Sequence, residues 1–477
     1  MKNIKITAIL IATSFMVSCG DDFLSPVPNS VVSSEIFYQN DADLEAGLIN
    51  MYEGIKGVNV LQDSDSDLLH GIQVEFYLTE MRSDNTKTKS SEGQAAEFEK
   101  FSITTTNGIV SDYYQSMYNV IFRANTVLKH IDVASDAKRG KIEGEAKFVR
   151  AYAHFNLVRL FGDVPLIESV ITPEDNAMQF TRVDKQLIYD SIESDLLVAI
   201  EHLDNSFINR ASKAAAQATL AKLYLTKGTN YLAAQQLCEA VIGSGYMLEP
   251  NFKDVFYNEN NNEVIFSIGF IADNTFNSQN FSAEWLNAVG RTSGVNYVTN
   301  EAKAALDLLG GNRTPYSYRQ DPGQATQNQV VKYLPNGDAS LGIDPTSVDP
   351  TSAGNDWIVL RLADVYLMHV EAIMGTQQST DVQAALDSFE TVRLRAGLTA
   401  DADGVITKQE LLDERRVELA FENHRFFDLV RMGEAQNVLS NYSLDNDYSY
   451  TATDLLLPIP QREVNLSNGL LSQNPGY

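Results

Sequence analysis

The chain has 477 residues, with 63 acidic and 36 basic side chains and a formal net charge of −27. This acidity argues against nucleic-acid binding and against a basic surface that grips anionic lipid. Two cysteines, Cys19 and Cys238, are too few for a disulfide framework. A chain of this length can bury a large core without one, so we expect Cys238 to be a small buried hydrophobe.

The first 18 residues have the pattern of a secretion signal. Lys2 and Lys5 precede an apolar stretch that is shorter than the roughly 20 residues a membrane-spanning helix needs. The stretch ends at MVSC, which resembles the bacterial lipobox, so we expect cleavage after residue 18 and lipidation of Cys19. An ordinary signal peptide with an incidental cysteine is the alternative. Residues 19–30, rich in Gly, Asp, Ser and Pro, are predicted to form an extended tether.

Helical periodicity dominates the rest of the chain and predicts a mainly α fold. The predicted helices cover residues 112–131, 138–161, 184–203, 213–227, 230–243, 359–374, 380–396 and 407–432. The last of them combines charged and apolar positions and is interpreted as a helix with a salt-bridged face. Residues 245–357 lack the helical period and contain one predicted strand, NNEVIFSIGF. Because loops on a rigid scaffold often carry recognition residues, we look for a ligand site there and in residues 62–107.

One pair of predicted helices carries a repeat signature. Residues at the spacing of the tetratricopeptide pattern are Leu220, Ala221, Tyr224, Gly228, Ala233, Leu237 and Ala240. Small residues on both helices would allow close approach, and Tyr224 and Leu237 would fill the groove between them. A chance antiparallel hairpin would explain the same residues. Weaker matches to the same pattern at 112–161 and 362–389 suggest that several helix pairs form one superhelical scaffold. Such a scaffold suits the binding of a protein partner more than catalysis.

No motif in the sequence points to catalysis or to a cofactor. Zinc-protease, serine-hydrolase, Walker, dinucleotide and CxxC patterns are all missing, and the six histidines lack ligand spacing. With 63 acidic residues, a carboxylate pair like that of a glycosidase is bound to arise by chance. We therefore expect a protein that is not an enzyme and has no metal ligand and no cofactor.

Two acidic segments have partial calcium-loop patterns. From Thr399 to Glu410, acidic and glycine residues fall at EF-hand positions, but a threonine stands where the first aspartate is needed. The preferred interpretation is a turn that leads into a helix capped by Thr407 with Glu410 as its partner. The question of a structural calcium ion near Asp401 and Asp403 stays open. DSDSD at 63–67 lacks the glycine and closing glutamate, so a solvated acidic turn is preferred there.

Several long segments together resemble the SusD/RagB family of Bacteroidetes outer-membrane lipoproteins. They are DFLSPVPNS after Cys19, EAKFVRAYAHFNLVRLFGDVPL at 145–166, WIVLRLADVYLMHVEA at 357–372, ERRVELAFENHRFFDLVRMG at 414–433 and LLPIPQREVNLSNGLLSQNPGY at 456–477. Asp21 and Asp22 resemble the acidic surface-export tag of such lipoproteins. The resemblance covers essentially the whole mature chain.

The resemblance implies a superhelical scaffold of tetratricopeptide-like helix pairs, with an irregular, loop-rich ligand-binding part that contains short strands. An N-terminal region, 31–245, and a C-terminal region, 246–477, would form one globular unit. The protein would be lipid-anchored on the outer face of the outer membrane. It would bind oligosaccharides and hand them to a SusC-like TonB-dependent transporter.

Ligand contacts are expected at aromatic and polar side chains of the irregular segments, because sugar rings stack on aromatics and hydroxyls need polar partners. The candidates are Tyr77, Arg82, Asp84, Asn85, Trp285, Tyr297, Tyr316 and Tyr318. Each has a structural alternative, since aromatic side chains commonly pack half-buried and Asp and Asn are common in turns.

The choice of ligand stays open at this stage. With two tryptophans in the chain, a broad aromatic surface would rest largely on tyrosines, so starch is not the default ligand. A peptide-binding lipoprotein of the RagB type and a surface glycoside hydrolase with a carboxylate pair are the alternatives.

Overall fold

The structure is a computed structural model, and it describes residues 34–59, 69–88, 93–172, 175–259, 261–274, 276–286 and 296–477. The predicted signal peptide, Cys19, the tether and the acidic segment 63–67 lie outside the described residues.

Helices build most of the fold, which confirms the mainly α prediction. The longer ones are α1 (Asp41–Lys56), α2 (Gly108–Lys129), α3 (Asp136–Phe161), α4 (Lys185–His202), α5 (Lys213–Lys227), α6 (Tyr231–Ile242), α7 (Asn300–Leu309), α8 (Leu362–Met374), α9 (Gln383–Arg395), α10 (Lys408–Glu418), α11 (Arg425–Arg431) and α12 (Ala435–Asp445). Shorter helical segments are Ser34–Phe37, Gly71–Val74, Glu75–Leu78, Glu80–Arg82, Gly93–Ala95, Ala96–Glu99, Ile131–Val133, Asn176–Phe180, Asp254–Tyr257, Phe281–Glu284, Gly311–Arg313, Thr314–Ser317, Ala339–Leu341, Ala452–Leu455 and Gln461–Leu466. Consecutive long helices pack side by side, α2 on α3, α3 on α4 and α4 on α5.

The described strands are short and form two-stranded antiparallel sheets. They are β1 (Thr86–Lys87), β2 (Val264–Ile268), β3 (Tyr297–Val298), β4 (Tyr318–Gln320), β5 (Asn328–Val330), β6 (Trp357–Arg361), β7 (Ser379–Thr380) and β8 (Ile406–Thr407). The pairs are β1 with β3, β2 with β6, β4 with β5 and β7 with β8. The predicted strand in NNEVIFSIGF is confirmed as β2, and both β2 and β6 run through the hydrophobic core.

The repeat signature lies on the hairpin of α5 and α6. Gly228 ends α5 in the left-handed conformation, with φ of 64°, which glycine adopts without steric cost. Ala221 is fully buried, as expected for close approach. The second helix presents a slightly different face from the predicted one, because Ala234 and Cys238 are fully buried whereas Leu237 is only partly buried. Burial raises the pKa of the Cys238 thiol, in keeping with its predicted role as a packed hydrophobe.

Two predicted boundaries were wrong. Residues 359–361 are strand rather than helix, because they belong to β6 and pair with β2. The predicted helix 407–432 is two helices, α10 and α11, separated by residues 419–424. Phe421 and Asn423 there have positive φ values of 66° and 64°, which a right-handed helix does not allow.

The turn before α10 is a capping structure. The Thr407 hydroxyl accepts from the Glu410 backbone N–H at 3.2 Å, and the Glu410 carboxylate accepts from the Thr407 N–H at 2.7 Å. This confirms the capping box as the role of these two residues. In the described part of the chain no cluster of three or more acidic, histidine or cysteine side chains could hold a metal ion.

One large hydrophobic cluster joins described residues from Tyr38 to Leu471, and a small second cluster is formed by Leu286, Val331, Leu334 and Ile343. The C-terminus closes back onto it, since Asn474 donates its amide to the carbonyl oxygens of Phe161 at 2.9 Å and Leu457 at 2.7 Å. None of the described helices combines the length and the apolarity needed to cross a bilayer.

Candidate ligand-binding site

An open cavity of about 280 Å³ lies where the segment 70–77 meets the start of α2 and the short helix Phe281–Glu284. Its walls combine aromatic and polar side chains. The ones on which the following argument rests are His70, Gln73, Tyr77, Asp112, Asn280 and Glu284. A concave site of this kind, with apolar walls and a few fixed polar groups, is the usual form of a small-ligand site. We call it the site cavity.

Two facing glycines place the segment 70–77 against the end of α1. A Cβ on Gly57 would come within 2.1 Å of the His70 carbonyl carbon, and one on Gly71 within 2.3 Å of the Ile55 oxygen. Both glycines also have positive φ, 69° and 54°. Only glycine combines this backbone conformation with so close an approach, so the two residues fix the position of segment 70–77 against the end of α1.

Asp112 on α2 holds the same segment from the other side. Its carboxylate accepts from the His70 backbone N–H at 2.9 Å and also binds the His70 ring at Nδ1. One turn further along, the Ser116 hydroxyl accepts from the Gly71 N–H at 3.1 Å. Asn107 starts α2 by capping the Ile109 and Val110 N–H groups. These hydrogen bonds therefore fix segment 70–77 to the start of α2.

Three side chains of the site cavity are oriented by hydrogen bonds to the protein. His70 uses Nδ1 on Asp112, Gln73 donates Nε2 to the Lys56 carbonyl at 3.4 Å, and Asn280 donates Nδ2 to the Glu284 carboxylate at 3.3 Å. The opposite atoms, His70 Nε2, Gln73 Oε1 and Asn280 Oδ1, are shielded from bulk solvent and have no hydrogen-bond partner in the described structure. Buried polar atoms without a hydrogen-bond partner are rare, because each costs about 1 to 3 kcal/mol.

Tyr77 is the predicted contact that lines the site cavity. Its ring lies 4.1 Å from that of Phe76 and 6.0 Å from that of Phe98, centroid to centroid, and its hydroxyl faces Glu284 at 3.5 Å. Packing of this kind fixes the ring against its neighbours, so it forms a rigid aromatic wall.

Arg82, Asp84 and Asn85 are buried, do not line the site cavity and make intramolecular contacts. Arg82 donates to the Asp454 carbonyl at 2.5 Å. Asp84 pairs with Arg425 at 2.8 Å and with Arg416 at 2.9 Å. Burial opposes ionisation of Asp84, but the two guanidinium groups hold its pKa well below the usual range. Contact of Arg82, Asp84 and Asn85 with a ligand stays a prediction. The contacts observed hold this loop in place.

The remaining predicted residues do not line the site cavity. Trp285 is buried, with its ring 5.9 Å from Phe76 and 5.3 Å from Tyr333. Tyr297 is half-buried on β3, opposite Lys87 of β1. Tyr316 and Tyr318 are half-buried as well, and the Tyr318 hydroxyl donates to Asp307. The structure therefore gathers Tyr77 with the Phe281–Glu284 helix, and leaves the partly exposed tyrosines as predicted contacts outside that group.

Sequence reasoning missed six polar residues of the site cavity, namely His70, Gln73, Gln94, Asp112, Asn280 and Glu284. Each is a common residue type with no motif around it. The one local signal is the pair of glycines at 57 and 71, because glycine in a non-repetitive segment often marks a close backbone approach. The meeting of residues 70–77 with 280–284 is a long-range contact that no local pattern encodes.

The charged side chains of residues 407–432, predicted to form a salt-bridged face, are paired and largely buried. Arg361 at the end of β6 pairs with Glu263 at 2.8 Å, Glu418 at 2.6 Å and Glu422 at 2.7 Å. Similar buried pairs join Arg415 to Asp364 and Asp428, each at 2.9 Å. Removing one member of such a network leaves an uncompensated buried charge, so these residues hold the scaffold together.

A helical scaffold that presents a cavity with one aromatic wall and several fixed polar groups defines a ligand-binding protein. The chain belongs to the SusD family: the family model described as "SusD family" matches residues 225–477. A second family model, described as "Starch-binding associating with outer membrane", matches residues 31–225. Membership confirms the resemblance seen in the sequence.

Relatives cover the whole chain. This chain is 25% identical over 529 residues to SusD-like protein P2 of Formosa agariphila, with 100% of both chains covered. It is 24% identical over 440 residues to the starch-binding protein SusD of Bacteroides thetaiotaomicron, covering 75% of this chain and 76% of that protein. A solved structure, a laminarin-binding SusD-like protein, superposes with a TM-score of 0.75 at 25% identity, covering 92% of this chain and 100% of that one.

Proposed function

We propose that this protein is a non-catalytic lipoprotein that binds oligosaccharides at the site cavity. It is anchored through Cys19 on the outer face of the outer membrane and passes its ligand to a SusC-like TonB-dependent transporter. The observation that carries the proposal is the open cavity in which the aromatic wall at Tyr77 meets polar side chains such as Gln73 and Asn280. Sugar rings offer C–H faces to aromatic walls, and their hydroxyls form hydrogen bonds with polar side chains.

Family membership supports the same conclusion. The relatives named above include a starch-binding and a laminarin-binding protein. The predicted contacts at Tyr297, Tyr316 and Tyr318 extend the proposal beyond the site cavity, since a chain of several sugars reaches further than one cavity. The proposal gives a supporting role beneath the binding loops to the buried predicted residues, which are Arg82, Asp84, Asn85 and Trp285.

Isothermal titration calorimetry against laminarihexaose, a xylogluco-oligosaccharide and maltoheptaose tests the proposal. We expect at least one to bind, and Asn280→Leu to weaken that binding at least tenfold, because it removes a polar group from the wall of the site cavity at nearly constant volume. Asn437→Leu is the matched control, since Asn437 is exposed on α12, away from the site cavity. Equal melting temperatures of the variants would show that both remain folded.

The same titrations separate the alternatives. Binding of mixed peptides with no binding of any glycan would favour a RagB-like peptide carrier. Release of shorter sugars from a bound glycan would favour a hydrolase. Co-purification of a TonB-dependent transporter from detergent-solubilised membranes tests the partnership, and its repeated absence would contradict it.

A further inference from the structure

A second cavity, apart from the site cavity, lies beside α2 and has largely apolar walls. Its volume is about 130 Å³. Its lining residues are Tyr114, Gln115, Tyr118, Phe122, Ile167, Ser169, Ile171, Gln179, Phe180, Glu463 and Leu471. Apolar side chains continue onto the surface around it, since Phe122 is 49% exposed and Met178, beside Gln179 in the chain, is 46% exposed. A concave and exposed apolar surface of this kind marks a place where another segment binds. We call it the aromatic groove.

The described chain begins at one end of the aromatic groove. Residues four or seven apart share one face of a helix, so Lys129 follows Tyr114, Tyr118 and Phe122 along the same face of α2. The Lys129 ammonium group pairs with the Glu35 carboxylate at 2.7 Å. The chain before residue 34 therefore enters beside the last turn of α2, and the three aromatic rings lie about 10 to 22 Å further along that face.

The sequence that precedes residue 34 suits such a groove in composition and in length. Residues 23–28 read FLSPVP and lie outside the described residues. Proline-rich segments favour the polyproline II conformation and bind in grooves lined by aromatic rings. The connection from residue 28 to residue 34 spans up to about 20 Å, and that from residue 23 up to about 36 Å. Both the near end and the far end of the aromatic groove are within reach.

The loop that carries Ile171 and Phe180 does not supply the occupant itself. Its residues 173 and 174 lie outside the described residues, but Asp175 donates its backbone N–H to the Thr172 carbonyl oxygen at 2.9 Å. Two residues between bonded neighbours are too few to extend along a groove that follows more than two turns of α2.

We propose that residues 23–28 bind in the aromatic groove and hold the lipid-bearing end of the chain against α2. Phe23 and Leu24 supply apolar side chains, and Pro26 and Pro28 pack on the aromatic rings. With this segment bound, Cys19 is four residues, or up to about 14 Å, from the groove, so the α2 face is turned toward the membrane. Release of the segment restores the longer reach of the whole tether. The inference goes beyond glycan binding and does not depend on it.

Disulfide cross-linking in the mature chain, residues 19–477 with Cys19→Ala, tests the proposal. The remaining native cysteine, Cys238, is buried. Ser25→Cys combined with Met178→Cys, at the edge of the groove, should cross-link under mild oxidation at least tenfold faster than Ser25→Cys combined with Ile49→Cys. Ile49 is the matched control, because it is exposed on α1, which packs on another face of α2.

A change in the groove itself supplies the second arm of the test. Phe122→Ala removes one aromatic ring from the wall and should slow the cross-link between positions 25 and 178 at least threefold. Phe207→Ala is its control, since Phe207 is 55% exposed and does not line the groove, and it should leave the rate unchanged. Equal melting temperatures would show that both variants are folded.

The outcomes separate this inference from the proposed function. Equal rates for the two cysteine pairs, or a rate that Phe122→Ala does not change, would overturn the binding of residues 23–28 in the groove. Cross-links between two chains, seen as dimers on a non-reducing gel, would assign the groove to a second copy and also overturn it. Failure of every glycan to bind would refute the proposed function and leave the cross-linking result intact.

Discussion

The segment that carries Asn85 is held in place by buried polar groups. Glu80 is fully buried beneath the loop and accepts from the Asn423 backbone N–H at 2.8 Å and from the Asn85 amide at 3.2 Å. Asn85 in turn accepts from Arg416 at 3.1 Å. A loop supported in this way keeps its geometry before a ligand arrives, which lowers the cost of binding.

Glu80 should make stability depend on pH. Burial raises its pKa from 4.5 to about 7. In the unfolded chain the carboxyl loses its proton near pH 4.5, whereas the folded protein keeps it until about pH 7. The folded state therefore binds more protons in this window, and its free energy of unfolding falls as the pH rises, by about 3 kcal/mol for this group.

Glu80→Gln removes that titration, so we expect the variant to lose less stability than the native protein between pH 5 and pH 8. Urea unfolding followed by circular dichroism at the two pH values measures the difference. Parallel losses in both proteins would contradict the assignment of this pH dependence to Glu80.

At the scale of elements, short polar motifs decide where helices begin and end. Asn107 starts the helix that lines the site cavity, Gly228 ends the first helix of the repeat hairpin, and Thr407 starts α10. Each satisfies backbone groups that a helix end leaves without an intrahelical partner.

The capping box supplies the prediction at this scale. Thr407→Ala should lower the free energy of unfolding by about 1 kcal/mol, because it leaves the Glu410 N–H without its cap. Thr391→Ala is the matched control: Thr391 lies within α9, where its hydroxyl bonds the Asp387 carbonyl, and alanine there should cost nothing. Addition of calcium should not raise the melting temperature, and a rise that Asp401→Ala abolishes would restore the calcium hypothesis.

At the scale of the whole molecule, the proposed function needs a folded binding unit attached to the membrane by its N-terminus. In the described structure the first helical segment, Ser34–Phe37, lies on the surface, where Glu35 pairs with Lys129 of α2 at 2.7 Å. The proposed anchor at Cys19 lies 15 residues before Ser34. An extended stretch of that length spans up to about 50 Å, enough for the binding unit to swing without leaving the membrane.

Cys19→Ala should release a folded protein from the membrane fraction, with unchanged melting temperature and glycan affinity, and should abolish glycan-dependent growth. Cys238→Ala, at the buried cysteine, is the control that should stay in the membrane fraction. Membrane fractionation followed by immunoblotting measures how much of each variant stays with the membrane. Retention of the Cys19→Ala protein in washed membranes would contradict the anchor.

The sequence by itself determined the fold class, the positions of most helices, strand β2 and the family. Local periodicity, caps and long family segments carry that information, because they depend on neighbours along the chain. It also predicted a ligand contact at Tyr77, which lines the site cavity, and the capping box of Thr407 and Glu410 through their spacing.

Tertiary structure alone decided which polar groups share the site cavity. His70, Asp112 and Asn280 come from three distant segments, and their hydrogen-bonding character depends on which atom each has already given to a neighbour. The same holds for Asp84, whose type suits a ligand contact but whose carboxylate is occupied by Arg416 and Arg425. Burial and pairing are properties of packing between remote segments, so a pattern along the chain cannot contain them.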